Sequence, residues 1–285
     1  MSLNNIIKSA LIEDIGKGDI TTQLLIPKSK QIKALIIVKE QGVICGIDVA
    51  AEVFKARDKR IKFKKLARDG QQVAKDEIIA TLSGRAQGIL TAERVALNFL
   101  GTLAGIATRT RQFVDAAKPH KVKILDTRKT IPGLRELEKY AVRMGGGYNH
   151  RMRLDGMVLV KDNHLAVLRS AHCVLRFENI AREIEKKHKN VKIEIEVKNL
   201  KEFKEAIKLK PDIIMLDNMS IAQIKQAVTI LRNTQITQRR ATKLEASGNI
   251  NLGDIRKYAA TGVDFISIGS LTKDIQSLDM SLEVV

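Results

Sequence analysis

The spacing of apolar residues changes along the chain, and each change marks a change of architecture. Residues 3–13 (LNNIIKSALIE) carry them at helical intervals, which predicts a short opening helix followed by GKGDITTQLL as a loop. From Ile32 to Leu82 the pattern becomes short apolar runs, KALIIV, GVICG, IKFKKL and EIIATL, separated by glycine or by charged turns such as RDGQQV and KDE. These read as strands of a small sheet, with Val49 to Ala56 (VAAEVFKA) a helix between them. The first part of the chain is thus a small α/β domain. Thr91, with Glu93 in the first turn, then opens a long helical pattern, TAERVALNFLGTLAGIATRTRQFVDAA. Gly101 and Gly105 each weaken such a helix by about 1 kcal/mol relative to alanine, a cost that close packing of another backbone would offset.

Downstream the rhythm is strand then helix. VKILD, GMVLV, IEIEV, DIIML, TKLEAS and DFISIG alternate with helical segments such as REIEKKHK, LKEFKEAIKLK and IAQIKQAVTILR, which implies a parallel sheet. Each strand ends in polar residues: Asp126 and Arg128, Lys161, Glu196, Asp217, Ser247, Gly269 and Ser270. In a closed α/β barrel such ends converge on one mouth. Six clear strands are few for eight, so the expectation is an incomplete or irregular barrel, with an open doubly wound sheet as the alternative, since its ligands also sit at strand ends.

Composition narrows the class. The chain has 285 residues, 44% hydrophobic, with 18 Gly and only 4 Pro, which suits a globular protein rather than a disordered one. Cys45 and Cys173 lack disulfide or zinc-ligand spacing and read as two buried thiols of a reducing compartment. Glu13 and Asp14 interrupt the N-terminus before a signal-like apolar stretch forms, and the uncharged run from Val95 to Thr108 is too short to span a bilayer. The expected location is the cytoplasm, with no membrane partner. A net charge of +18 invites a nucleic-acid reading. Much of that excess, however, lies in stretches such as Lys55 to Arg68, which look like solvated faces. With no Trp and 3 Tyr the chain also lacks stacking platforms, so nucleic acid is not the expected partner.

The stretch from residue 126 to 164 gathers Arg128, Lys129, His150, Arg151, Lys161 and His164 between strand-like runs and turn-forming glycines. Cations crowded into one pocket repel each other unless something negative sits between them. Arg128 and Arg151 offer planar donor forks suited to carboxylates; Lys129 and Lys161 supply point charges suited equally to phosphates. Any one of them alone is an ion-pair partner more often than a ligand contact; the constellation points to a polyanion. Alternation in IEIEV puts Glu194 and Glu196 on one face, with Glu196 nearer the strand end. With Asp217 it makes a carboxylate pair for a hydrated magnesium ion or sugar hydroxyls, the plainer reading being two unconnected acids. EASGNI (245–250) and SIGSLT (267–272) place Ser and Gly where strand becomes loop and backbone N–H groups can cradle a phosphate, a weak signal alone. Arg94 is either a solvated residue or a charge delivered to a neighbouring site.

These segments resemble one family throughout: LIEDIGKGDITT (11–22), TAERVALNFLGTLAGIAT (91–108), DTRKTIPGLRELEKYAV, GGGYNHR, LVKDNH, IEIEV, LDNM, ASGNI and DFISIGSLTK are similar, in order, to the quinolinate phosphoribosyltransferases, or carboxylating nicotinate-nucleotide diphosphorylases. The resemblance implies an N-terminal α/β sandwich joined to an irregular seven-stranded, TIM-like α/β barrel. On it, residues 1–110 form the sandwich domain, 111–271 the catalytic barrel, and 272–285 a tail able to return to the first domain. It implies transfer of a phosphoribosyl group from phosphoribosyl pyrophosphate to quinolinate with decarboxylation, using Mg2+, in a homodimer or higher homo-oligomer. By motif, Arg128, His150, Arg151 and Lys161 would hold the quinolinate carboxylates, and Arg94 would reach in from another subunit. Lys129 would lie by the pyrophosphate and Glu196 and Asp217 by ribose and metal. Ser247, Gly248, Gly269, Ser270 and Lys273 would serve the 5-phosphate. Lys129, Lys161, Glu196 and Asp217 are the residues expected to act in catalysis. The GGGYNHR glycines would let backbone approach the ligand. Three positions depart from the family's commoner residues: Arg153 for glycine, Ala104 for serine and Lys273 for histidine.

Overall fold

The structure, a computed structural model, describes residues 2–164, 167, 191–234 and 241–285. Cys173 and the helix expected at REIEKKHK (182–189) lie outside the described residues. The chain divides into two compact units, one formed by residues 1–111, 130–147 and 270–285, the other by 112–129 and 148–269.

The chain opens with α1 (Leu3–Ile15), whose first turn is capped by the Ser2 hydroxyl. The segment expected to be a loop contains a second helix, α2 (Ile20–Leu25). Asp19 is its cap, accepting the Thr22 N–H at 2.9 Å, while Ile20, Leu24 and Leu25 stay exposed, which is why no apolar face announced it. Next come β1 (Gln31–Val38), β2 (Gly42–Val43), α3 (Ile47–Arg57), β3 (Lys62–Lys65), β4 (Gln72–Val73) and β5 (Ile78–Arg85). GVICG yields only the two residues of β2. Ala34, Ile36 and Val38 of β1 are fully buried and alternate with half-buried neighbours, the signature of a sheet with one core face.

The long helix α4 (Ala86–Ala116) starts five residues before Thr91. Thr91 is therefore inside it, and its hydroxyl donates to the Asp19 carboxylate at 3.0 Å. By length and composition α4 could cross a bilayer, but 67% of its most apolar stretch is buried within the protein. Its glycines have packing partners: a Cβ at Gly101 would lie 3.0 Å from the Leu278 carbonyl oxygen, and one at Gly105 only 2.0 Å from that of Gln276. The Leu278 N–H also donates to Gly101 O at 3.0 Å.

After β6 (Lys123–Leu125), residues 130–147 rejoin the first unit as α5 (Arg135–Met144) and its flanks, whereas the sequence reading assigned the whole of 111–271 to the barrel. The reason is visible at Gly145 and Gly147. A Cβ there would fall 2.4 Å from Ala107 O and 2.7 Å from Thr110 of α4. These glycines seat the chain against a helix, rather than against a ligand as expected.

Glu138, fully buried on α5, accepts the Ile131 N–H at 3.2 Å, while its other oxygen has no partner among the described residues. Burial raises its pKa from 4.5 to about 7, against the opposing pull of the Ile131 bond and Arg135. A raised carboxyl pKa favours the protonated native state, so its contribution to stability is complete below about pH 4.5 and is lost as pH rises through about 7. Glu138→Gln should therefore gain about 3 kcal/mol on the wild type between pH 4.5 and pH 8. Urea midpoints at the two pH values check this; parallel curves would refute it.

The second unit continues with a 3-10 turn at Leu154–Gly156, then β7 (Val158–Val160), β8 (Ile193–Val197), α6 (Leu200–Lys208), β9 (Ile213–Asp217), α7 (Ile221–Thr234), β10 (Lys243–Ser247), α8 (Ile255–Ala259) and β11 (Phe265–Ser267). α9 (Ser270–Lys273) and β12 (Met280–Val284) return to the first unit. There β12 pairs antiparallel with β1, giving the sheet β12-β1-β5-β3.

The six strands expected downstream all form, parallel, in the order β6-β11-β10-β9-β8-β7. A seventh segment contributes one parallel bridge, Tyr148 to Leu125. In a flat sheet that segment would lie five strand spacings, about 24 Å, from β8. Yet His150, two residues on, touches Glu194 of β8 at 2.9 Å. The sheet is curled into an irregular α/β barrel, which removes the open-sheet alternative. Ile195, Val197, Ile214, Leu216, Leu244, Ala246 and Ile266 form a buried apolar face. The opposite face, inside the barrel, carries Glu194, Glu196, Asp217, Glu245, Ser247 and Ser267.

Candidate active site

Strand β6 runs into Asp126, Thr127, Arg128 and Lys129. Asp126 is fully buried and ties two loops together: it accepts the His150 N–H at 2.8 Å and the Asn149 amide at 2.5 Å, while its own N–H donates to Tyr148 O at 3.1 Å. The loop bearing Arg128 and the loop bearing Arg151 are thereby held as one piece. Arg151 donates to Met157 O at 2.8 Å. Burial, then the nearby Arg128 charge, lower its basicity, and Glu194 pulls the other way. The buried Nε of Arg128 has no hydrogen-bond partner among the described residues. Two cationic side chains that feel each other's charge, one with a buried donor unpaired among the described residues, are suited to a planar anion.

The acids lie at neighbouring strand ends. Lys161 Nζ, at the end of β7, is 3.5 Å from Glu196 Oε2. Burial raises the Glu196 pKa, Lys161 lowers it, and the charge of Asp217 raises it. Asp217 stands level with Ser247 in the β9–β10 register, and Ser247 level with Ser267 in the next pair. Past these strands, Asn218 donates its N–H to Ser247 O at 2.9 Å, and Gly248 turns with φ +105°, where a Cβ would lie 2.3 Å from Asn218 Oδ1. The Lys129 side chain lies over Gly269, 3.2 Å from where a Cβ would stand. Lys129 is thus the side chain beside the Gly269 turn.

The barrel unit therefore carries Arg128, Lys129, His150, Arg151, Lys161, Glu196, Asp217, Ser247, Gly248 and Gly269. Arg94, Ser270 and Lys273 belong to the first unit, Arg94 exposed on α4 and the other two at either end of α9. Arg153, the unusual residue near the site, is an exposed partner of Asp155 at 3.6 Å, a contact worth little in water.

Sequence reasoning gave no role to a layer of buried polar groups beneath the mouth. His150 Nε2 lies 2.9 Å from Glu194 and 3.7 Å from Glu245, both fully buried, and the Ser267 hydroxyl donates to Glu245. Burial, then the Glu194 charge, push the Glu245 pKa well above the usual carboxylate range, opposed by His150 and Ser267. Alternation in IEIEV already set Glu194 on one face with Glu196; what it lacked was Glu245 and the histidine from across the barrel. By residue type His150, Glu194 and Glu245 could bind a divalent cation. His150 Nδ1, however, accepts the Arg151 N–H at 2.9 Å. The ring proton of the neutral imidazole then sits on Nε2 and faces the acids, leaving no lone pair for a metal.

Cations, acids and glycine turns assembled at the C-terminal ends of parallel strands define an α/β-barrel protein with the layout of an enzyme site. Comparison with known proteins makes this specific. Residues 19–104 match the model of the quinolinate phosphoribosyl transferase N-terminal domain, and residues 106–283 that of the C-terminal domain. The chain belongs to the quinolinate phosphoribosyl transferase family. It is 43% identical over 283 residues to the probable nicotinate-nucleotide pyrophosphorylase (carboxylating) of Methanocaldococcus jannaschii, covering 98% of this chain and 96% of that one. It is 38% identical to the nicotinate-nucleotide pyrophosphorylase (carboxylating) of Mycobacterium leprae, with 98% and 95% covered. Among solved structures, the nicotinate-nucleotide pyrophosphorylase of Francisella tularensis superposes with a TM-score of 0.88 at 42% identity (99% and 96% covered). That of Ehrlichia chaffeensis gives 0.90 at 39% (100% and 99%).

Proposed function

We propose that the protein transfers the phosphoribosyl group of phosphoribosyl pyrophosphate to quinolinate, releasing pyrophosphate and carbon dioxide and giving nicotinate mononucleotide for NAD biosynthesis. The observation that carries this reading is the Arg128–Arg151 pair, two mutually repelling guanidiniums with a buried unused donor. A pyridine dicarboxylate offers the planar, doubly anionic partner that such a pair requires.

The site divides the work. Arg128 and Arg151, with Lys161, grip the carboxylates and aim the ring nitrogen at ribose C1. As the nitrogen–carbon bond forms and the C1–oxygen bond to pyrophosphate breaks, positive charge develops on the ribose, and Glu196 and Asp217 stabilise it. Lys129, over the Gly269 loop, receives the departing pyrophosphate charge. The alkylated ring is then cationic. When the carboxylate next to the nitrogen leaves as carbon dioxide, the electron pair left on carbon is stabilised by that adjacent charge and takes up a proton. Glu196 and Asp217 also fit a magnesium ion: both are hard oxygen donors at adjacent strand ends, and the Asp217 charge already raises the Glu196 pKa. When bound, magnesium supplies charge neutralisation for pyrophosphate.

Purified protein with magnesium and both substrates should release carbon dioxide and pyrophosphate in equal amounts; no nicotinate mononucleotide would overturn the proposal. Replacing quinolinate by nicotinate tests a related enzyme of different base preference, and nicotinate turning over faster would favour it. We further propose that the protein works in the cytoplasm as a homodimer or higher homo-oligomer, with exposed Arg94 completing a partner's site. Mixing inactive Arg94→Ala and Arg151→Ala subunits should then restore up to about a quarter of wild-type activity, since random exchange leaves one intact site in half the dimers. No recovery despite demonstrated exchange counts against this arrangement.

A further inference from the structure

Asp126 has no part in the chemistry proposed above, yet its side chain is fully buried two residues before Arg128. Its place is set by the hydrogen bonds between the end of β6 and the Tyr148 segment. Tyr148 N–H donates to Ile124 O at 2.8 Å and Asp126 N–H to Tyr148 O at 3.1 Å, the alternation of a parallel ladder. The next rung of such a ladder would run from His150 N–H to Asp126 O. Instead, His150 N–H donates to the Asp126 carboxylate at 2.8 Å, and the other carboxylate oxygen accepts the Asn149 side-chain amide at 2.5 Å. The side chain thus stands in for the main-chain oxygen at the point where the two segments part, one toward Arg128 and the other through His150 to Arg151. A buried bond to a carboxylate is stronger than the neutral rung it replaces. The fork is therefore pinned at its base.

We propose that Asp126 is a positioning and specificity-determining residue: it pins the fork whose arms carry Arg128 and Arg151, and so sets these cations at the separation of two carboxylates on adjacent ring carbons. Being buried, it acts through those residues rather than on the substrate. A ring acid whose two carboxylates are spaced more widely carries the same charge but cannot engage both arms as well. This inference rests on the function proposed above.

Benzene-1,2-dicarboxylate and benzene-1,3-dicarboxylate test it, since they have no ring nitrogen to react and differ only in spacing. Calorimetry on the wild type should show the 1,2-isomer bound at least about tenfold more tightly, and Asp126→Ala should bring the two isomers within about threefold of each other. The same variant should raise the quinolinate KM by about tenfold or more, with the phosphoribosyl pyrophosphate KM within about twofold of wild type. A merely structural role would lower the amount of active protein without moving the ratio of the two affinities. Asp126→Asn keeps an acceptor for the His150 N–H and should hold the preference within about threefold of wild type. A wild type without the preference, or an Asp126→Ala variant that retains it, overturns the inference. A wild type that prefers the 1,2-isomer but does not convert quinolinate overturns the function instead. If Asp126→Ala does not fold, Asn149→Ala decides: it removes one of the two side-chain ties and should cut the preference by about threefold or more, and an unchanged preference overturns the pin.

Discussion

Arg128→Ala should lower kcat/KM for quinolinate by about a thousandfold while the protein melts no lower than the wild type. Truncating one member of a buried, hydrogen-bonded charge pair costs about 2–5 kcal/mol of binding, or one and a half to nearly four orders of magnitude. The effect belongs near the upper end because the pyridine ring must be aimed as well as held. Stability should move the other way. Arg128 lowers the basicity of Arg151 by its charge, and its own Nε has no partner among the described residues, so its removal relieves a repulsion in the substrate-free protein. Lysine at 128 should rescue little, because a point charge does not reproduce a planar fork. Steady-state kinetics with thermal melts check both halves, and a variant that loses activity only by unfolding would contradict the assignment.

The second large effect is on folding. Gly105→Ala should destabilise the protein by roughly 2–4 kcal/mol, even though alanine is the better helix former by about 1 kcal/mol. The added methyl carbon would stand 2.0 Å from the backbone oxygen of Gln276, and backbone cannot rotate away as a side chain does. Either α4 or the segment leading to β12 must move. Gly101→Ala, with 3.0 Å of room, should cost much less. Urea midpoints of the two variants should separate clearly; equal midpoints would mean that the helix and the tail slide past each other freely.

These glycines also mark how far the sequence could be read. Their helical cost and the need for a backbone neighbour followed from local rules, but the identity of that neighbour, more than 170 residues downstream, did not. The six barrel strands were legible because each is an apolar run ending in polar residues. Of the two buried inner-face acids, Glu194 followed from alternation in IEIEV, and Glu245 was not singled out. Helix α2 was not legible, because its apolar side chains face outward. The Tyr148 segment was hidden because it contributes a single bridge. The glycines before it were misread for a related reason: GGG looks the same whether it faces a ligand or a helix, and only Thr110 and Ala107 decide. At the site the charged residues were legible by type and position. The burial of the His150 ring against acids from across the barrel was not, since closure is a property of the whole sheet.

The pairing of β12 with β1 has a consequence for how the protein is made. The strand that completes the first sheet, residues 280–284, leaves the ribosome after every strand of the barrel unit. Until then β1 waits with one edge open, although the residues on its other side have long been synthesised. The nascent chain must therefore hold an unfinished sheet while the barrel forms. Synthesis of residues 280–284, more than collapse of the N-terminal segment, is the step that completes the first unit.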